Sequence, residues 1–379
     1  MWIHQRQGWP NVSWNQENLS IKLASVRHQQ GRLLGRMGAL GFQVSMEAAL
    51  QTLTADVVTT SDIEGERLNP HDVRSSIARR LGIQTAGMIE TTNENVEGIV
   101  DVMLDATQNY QMPLTEERLY GWHAALFPTG RSGMRPIMVG AWRPPSAGPM
   151  QVVSGPIGRE IIHFEVPEAT RLKNEMTRFV TWFEEKESID QVIKAGIAHL
   201  IFVTIHPFED GNGRIARAIA DMALARSDQT TSRFYSMSSQ IAAERKAYYF
   251  YLEQQQRSGL DVTAWLDWFL DCLGRAIQNA NVLLDAVFSK AAYWSHANKN
   301  SLNKRQKLII SRMLEDFKGF MRTSKYATMA KCSPDTALRD IYDLISCGLL
   351  VQNPDGGRNT SYRLATLEEL SKTESFSNL

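Results

Sequence analysis

The segment His206-Pro207-Phe208-Glu209-Asp210-Gly211-Asn212-Gly213-Arg214-Ile215-Ala216-Arg217 gathers a titratable base, two carboxylates, a flexible turn and two guanidinium groups in twelve residues. His206 is a base near neutral pH. Two glycines flanking Asn212 permit positive φ and leave successive backbone N–H groups unobstructed, as an anion nest at a helix N-terminus requires. Asp210 offers a hard oxygen beside that nest, suited to a Mg²⁺ that also takes phosphate oxygens. Arg214 and Arg217, three residues apart, can both reach the same helix end. Taken singly, a His-Pro is a helix end, a Gly-Asn-Gly is a turn, and two arginines are a solvated face. Two cations at the positive end of a helix oppose the macrodipole, however, which makes sense chiefly when an anion lies between them. In outline the segment is a phosphate site with a base beside it.

A folded body must hold these residues. The chain has 379 residues, 43% hydrophobic, 22% charged and 9% aromatic, which is a globular composition. At that length two or three domains are expected. Basic and acidic residues balance at 41 each, so no whole-chain field favours nucleic acid or a membrane surface, and any such role must be local. Cys272, Cys332 and Cys347 lack C-x-x-C spacing, which argues against a zinc or redox pair and for reduced thiols in cytosol. The start, Met1 to Pro10, has no apolar h-region, and no later apolar run nears the ~20 residues of a spanning helix. A cytoplasmic protein without a membrane segment is expected.

Apolar residues recur at three and four spacing through most of the chain, so an all-α body is the expectation. Helices are predicted over 13–41, 45–64, 70–81, 90–109, 115–126, 168–187, 190–205, 214–227, 242–256 and 262–289. Trp2, Trp9 and Trp14 should anchor an N-terminal arm over 1–44. Between 127 and 167 seven prolines and six glycines interrupt the pattern, and Ile137–Val139, Met150–Val153 and Glu160–Phe164 read as short strands. A loop of that size carrying a hairpin is more in keeping with function than with passive connection. A polar break at 295–301 marks a domain boundary. Beyond it, residues 299–365 carry twelve Lys or Arg against six Asp or Glu, and three helices (304–317, 323–331, 334–347) followed by a hairpin suggest a winged helix-turn-helix, with 366–379 as a tail.

The twelve residues match the motif H-x-F-x-[DE]-G-N-G-R-x-x-R of the Fic family at every specified position, and the chain resembles that family over about residues 45–260. The resemblance implies a Fic/Fido helical core over 45–296 that transfers AMP from ATP to a Ser, Thr or Tyr hydroxyl of a target protein or of itself. His206 would take the hydroxyl proton and Phe208 would anchor the loop. Asp210 would hold Mg²⁺ against the α- and β-phosphates. Gly211, Asn212 and Gly213 would bind the phosphate chain, with Arg214 on the β-phosphate and Arg217 on the γ-phosphate. The Pro-rich region (about 135–165) would be the flap that docks the target by strand addition, with Gly140–Arg143 and Val152, Val153, Ser154 and Gly155 in its expected places. Tyr248, Tyr249 and Gln256 would lie beside the nucleotide base. Thr60-Ser61-Asp62-Ile63-Glu64-Gly65 resembles the family's inhibitory motif, so Glu64, with Thr60, would hold Arg217 off the γ-phosphate. Ser61-x-x-Glu64 is also a capping box, but apolar periodicity through Met46, Leu50, Leu53 and Val57 precedes it, which puts Glu64 in a last helical turn.

Two alternatives stand beside this reading. The same site in some relatives removes AMP from a modified target. A DNA-binding regulator could instead use the core as a nucleotide sensor and residues 333–339 as part of a recognition helix, although Asp335, Asp340 and Asp343 there would repel phosphates. Residues 299–365 leave a DNA or a protein partner open, and homodimerisation is also open.

Overall fold

The computed structural model describes residues 1–39, 42–83, 93–145, 150–154, 159, 161–185, 189–314, 317, 319–354 and 360–370. It is mostly helical, and its contacts divide it into two units, Met1–Ala280 and Asn281–Leu379. The first contains α1 (Gln16–Gly38), α2 (Phe42–Ile63), α3 (Pro70–Arg80), α4 (Glu94–Gln108) and α5 (Glu116–Leu126). The short strands β1 (Arg131–Ser132), β2 (Arg135–Pro136), β3 (Gln151–Ser154) and β4 (Ile161–Glu165) follow. Then come α6 (Leu172–Glu184), α7 (Gln191–Ile205), α8 (Asn212–Asp228), α9 (Met237–Ala243), α10 (Arg245–Gln256) and α11 (Thr263–Ala297). Side-chain oxygens start many of these helices: Asn15, Thr115, Asp190 and Ser236 each accept a backbone N–H of the first turn, and Asn69 does so just before Pro70.

Helix α7 is apolar on all faces and buried from Val192 to Ile205, so it can only be a central helix. Helix α8 packs along it, buried over most of Asn212–Ala225, and is covered in turn by α2, α4 and α5. The segment 206–211 is the connection between these two most buried helices. The chemistry-bearing loop is thus held by the core.

The N-terminal arm belongs to this unit. Trp9 is buried and its Nε1 donates to Glu175 at 3.0 Å, while Trp2 meets Phe164 of β4 edge-on at 5.2 Å. Ser13 bridges to Asp261, so the arm also ties down the chain ahead of α11.

Three expectations need correction. Ile137–Val139 is not a strand: after Ile137 N–H donates to Gly130 O at 3.1 Å the backbone pairing stops, and the Met138 N–H goes instead to a Glu209 carboxylate oxygen. The single helix expected over 242–256 is two, broken at Glu244, whose carboxylate is gripped by Arg275 at 2.6 Å. The unit boundary falls between Ala280 and Asn281, inside α11, and not in the polar break at 295–301. Tyr293 and Ala297 of α11 belong to the core of the second unit, so the helix runs on after its periodicity weakens.

The second unit also contains α12 (Lys304–Leu314), α13 (Thr323–Ala330), α14 (Pro334–Ser346) and the antiparallel pair β5 (Leu350–Gln352) and β6 (Tyr362–Leu364). Ile309, Ile310, Tyr326, Ile341 and Leu344 form its core. Asp340 turns inward, where it accepts from Asn303, Arg305 and the Tyr326 hydroxyl. One of the three acids expected on the α14 surface is therefore removed from it. Among the described residues no helix is long and apolar enough to cross a membrane.

Candidate active site

His206 ends α7 in the left-handed region, at φ 52°, ψ 59°. Its Nδ1 lies 3.2 Å from the Val203 carbonyl, which can only accept, so Nδ1 carries the proton and Nε2 keeps its lone pair. Burial, with the Arg143 charge assisting, lowers the imidazole pKa to about 4, while Glu64 and Asp210 act in the opposite direction. At neutral pH the group is a base ready to accept.

Arg143 fixes this loop from outside the motif. Buried, it donates from its backbone to Pro207 O at 2.8 Å, from Nε to His206 O at 2.9 Å, and from Nη2 to Pro167 O. Phe208 is fully buried and stacks flat on His123, with centroids 4.1 Å apart. Asn212 closes the loop on itself: its Oδ1 accepts Phe208 N–H at 3.0 Å and its Nδ2 donates to Phe208 O at 2.9 Å. The Asn212 side chain is thus a brace, and only its backbone amide is left for an anion. The first backbone bond of α8 runs from Ile215 N–H to Gly211 O, so the amides of Asn212, Gly213 and Arg214 precede the helical ladder.

Gly211 sits at φ +79°, and a Cβ there would lie 2.9 Å from Phe127 Cε2. Strain and overlap together should cost about 2–3 kcal/mol. Gly211→Ala is therefore expected to lower the thermal midpoint by several degrees. An unchanged midpoint would show that the loop relaxes freely.

Both motif arginines are buried, and each meets a glutamate. Arg217 Nη2 contacts Glu64 Oε1 at 2.7 Å, and it is also held by Thr60 through Oγ1 at 2.7 Å and the carbonyl at 2.9 Å. The Glu64 carboxylate rests on the start of α8 so closely that a Cβ at Gly213 would collide with it. Glu64 itself follows the last residue of α2 and lies in the turn. Arg214 Nη1 contacts Glu66 Oε2 at 2.7 Å, and its guanidinium lies over the Phe127 ring. Arg214 Nε and Arg217 Nη1 are buried with no hydrogen-bond partner, the condition expected of groups waiting for an anion.

Asp210 accepts from the Ser132 hydroxyl of β1 and, at 2.6 Å, from the Gly211 N–H. Each oxygen retains a lone pair. No group of three metal-binding side chains gathers among the described residues. A lone carboxylate nevertheless fits Mg²⁺ bound mainly by phosphate and water.

A cleft of about 690 Å³ brings Glu64, His206 and Gly213 together with Val152 and Val153 of β3 and Tyr249 of α10. Val152 and Val153 are exposed on a hairpin paired to β4, with a register irregularity between them. Ser154 ends β3, and Gly155 lies outside the described residues. The two tyrosines part company. Both line the cleft, as does Gln256, but Tyr249 is 43% exposed whereas Tyr248 is 2% exposed, bonded to His199 at 3.0 Å and packed against Trp265 and Trp268. Gln256 is buried, with Nε2 3.4 Å from the Thr204 hydroxyl. Glu66, Arg143, His123 and Ser132 were not singled out by sequence as site residues. Arg143 enters the sequence reading only as part of the flap, and the Glu-Gly-Glu run at 64–66 is the one readable signal for Glu66.

Residues 113–224 match the Fic/DOC family, and residues 2–83 match a domain of unknown function (DUF4172). A probable protein adenylyltransferase of Aquifex aeolicus is 33% identical over 84 residues, which are 22% of this chain and 26% of that protein. A uridine 5'-monophosphate transferase of Xanthomonas campestris pv. campestris is 29% identical over 126 residues, 30% of this chain and 21% of that one. The chain thus spans only about a quarter of the length of these relatives. A crystal structure of a Fic family protein from Desulfovibrio desulfuricans G20 superposes with a TM-score of 0.50 at 18% identity, covering 91% of this chain and 96% of that one. Residues 113–224 thus carry the Fic/DOC-family match, and the fold around them is that of a Fic family protein.

Proposed function

We propose that this chain is an autoinhibited protein adenylyltransferase that moves AMP from ATP to a Ser, Thr or Tyr hydroxyl of a target protein or of itself. The observation that carries the reading is the Glu64 carboxylate on Arg217 at the start of α8, in the same cleft as an unprotonated His206 nitrogen. His206 Nε2 takes the hydroxyl proton while that oxygen attacks the α-phosphorus; the bond from the α-phosphorus to the bridging oxygen breaks, and pyrophosphate leaves with the charge. The amides of Gly211, Asn212 and Gly213 and the side chains of Arg214 and Arg217 neutralise the phosphates. Positioning and charge stabilisation supply most of the rate. Asp210 would hold Mg²⁺, which when bound neutralises α- and β-phosphate charge. Tyr249 offers its ring to the base, Tyr248 acts behind it as support, and Val152, Val153 and Ser154 present an open strand edge to the target.

Because Glu64 and His206 share one cleft, a water oriented by Glu64 is the basis for the reverse reading, removal of AMP. The second unit we read as winged-helix-like from its order of three helices and a hairpin. As a DNA-binding element it should show a steep salt dependence.

The test uses α-labelled ATP, Mg²⁺ and lysate with the parent chain, Glu64→Gly and Glu64→Gly/His206→Ala. Label should appear on protein with loss of Glu64 and vanish with loss of His206. Label released from premodified protein by the parent chain alone would favour AMP removal, and no label movement in any variant would sink both.

A further inference from the structure

Two carboxylates one residue apart, Glu64 and Glu66, reach two arginines three residues apart on the first turn of α8. The backbone explains how. Gly65 N–H bonds to Asp62 O and Glu66 N–H to Ser61 O, both at 3.0 Å, with Gly65 at φ +85°. That is a Schellman closure of α2 with glycine at its left-handed position. It fixes the backbone on both sides of the glycine, so the two glutamates are presented by one rigid turn. Arg245 and Tyr249 of α10 hold the Ile63 carbonyl just before it.

On the receiving side, Arg214 and Arg217 have 4% and 2% of their side chains exposed, beside a helix N-terminus that is itself positive. Such a pair needs anionic neighbours. Glu64 supplies one and Glu66 the other, while Arg214 Nε and Arg217 Nη1 stay unpartnered and buried, with bonding capacity that two carboxylates do not exhaust. A polyphosphate has more oxygens to offer.

We propose that Glu64 and Glu66 together are an internal stand-in for the nucleotide's polyphosphate, Glu66 occupying Arg214 as Glu64 occupies Arg217. Holding this double plug in place is then a function of the matched domain of unknown function, within which residues 60–66 fall. The proposal rests on the nucleotide-transfer reading and adds a second element to its brake. Loss of Glu64 alone frees Arg217 and leaves Arg214 engaged, so the single variant is only partly released.

The test is equilibrium binding by calorimetry to the full chain carrying His206→Ala, which prevents turnover. ADP, ATP and AMP are titrated with and without Glu66→Gln, in backgrounds keeping Glu64 and carrying Glu64→Gly. Charge-assisted contacts of this kind are expected to make Glu66→Gln tighten ADP and ATP about tenfold in both backgrounds. AMP, which lacks a β-phosphate to meet Arg214, should change less than twofold. Glu66→Gln keeps the side-chain volume and the turn, and an unchanged far-ultraviolet circular dichroism spectrum verifies the fold; Glu66→Ala provides a second variant. Tight ADP binding that neither Glu66 variant alters would overturn the proposal and leave the transfer reading intact. Failure of every variant to bind any of the three nucleotides would overturn both.

Discussion

Replacing His206 with alanine in the Glu64→Gly background is expected to lower AMP transfer by about 10²–10⁴-fold, the usual contribution of a positioned general base. The KM for ATP should move little, because the proposed phosphate contacts are to the helix start and the arginines and not to His206. The pH profile is the sharper test. His206 has its pKa lowered to about 4, mainly by burial and then by Arg143, and only the unprotonated ring can accept a proton. The acid limb of kcat/KM should therefore lie near pH 4, well below the ordinary histidine value, and the profile should be flat through neutrality. The Glu64 charge favours the imidazolium, so its removal shifts the limb further down. An acid limb between pH 6 and 7 would place the titrating base elsewhere.

The second large effect is expected from release of the proposed brake. Glu64→Gly should raise transfer on the order of 10- to 100-fold, equivalent to about 1.4–2.8 kcal/mol of barrier. It should also weaken the empty protein. Arg217 is buried and would lose its closest carboxylate while keeping Thr60, and weakening the pairing of a buried charge is costly; with Glu64 about one-third exposed, about 1–3 kcal/mol is expected. The thermal midpoint should fall without nucleotide and recover with saturating ATP, which stabilises by mass action. Faster transfer with unchanged stability would mean that the contact with Arg217 is not maintained in solution. A loss of both activity and ATP response would mean that Glu64 supports the site and does not block it.

Much was determined by sequence alone, and the reason is local. Helix periodicity from 190 to 205, a Gly-Asn-Gly turn and two arginines within twelve residues need no distant partner to be recognised. Gly65 followed by Pro70 likewise signals the end of a helix near Glu64 without reference to what that helix covers. The flap strands at 150–153 and 160–164 are legible from residues between breakers, whereas Ile137–Val139 reads as a strand although the Met138 amide goes to the Glu209 side chain, 71 residues away.

What only the tertiary structure decided depends on groups far apart in the chain. Glu64 meets Arg217 across 153 residues and Glu66 meets Arg214 across 148. Arg143 reaches the His206 carbonyl across 63, and the protonation of His206 follows from burial that no spacing encodes. Tyr248 and Tyr249 are equivalent aromatics in sequence and both line the cleft, and only packing against Trp265 and Trp268 buries the first while the second stays exposed. The twelve residues therefore specify the kind of chemistry. The tertiary structure decides that the two buried arginines of α8 meet two carboxylates from the turn that follows α2.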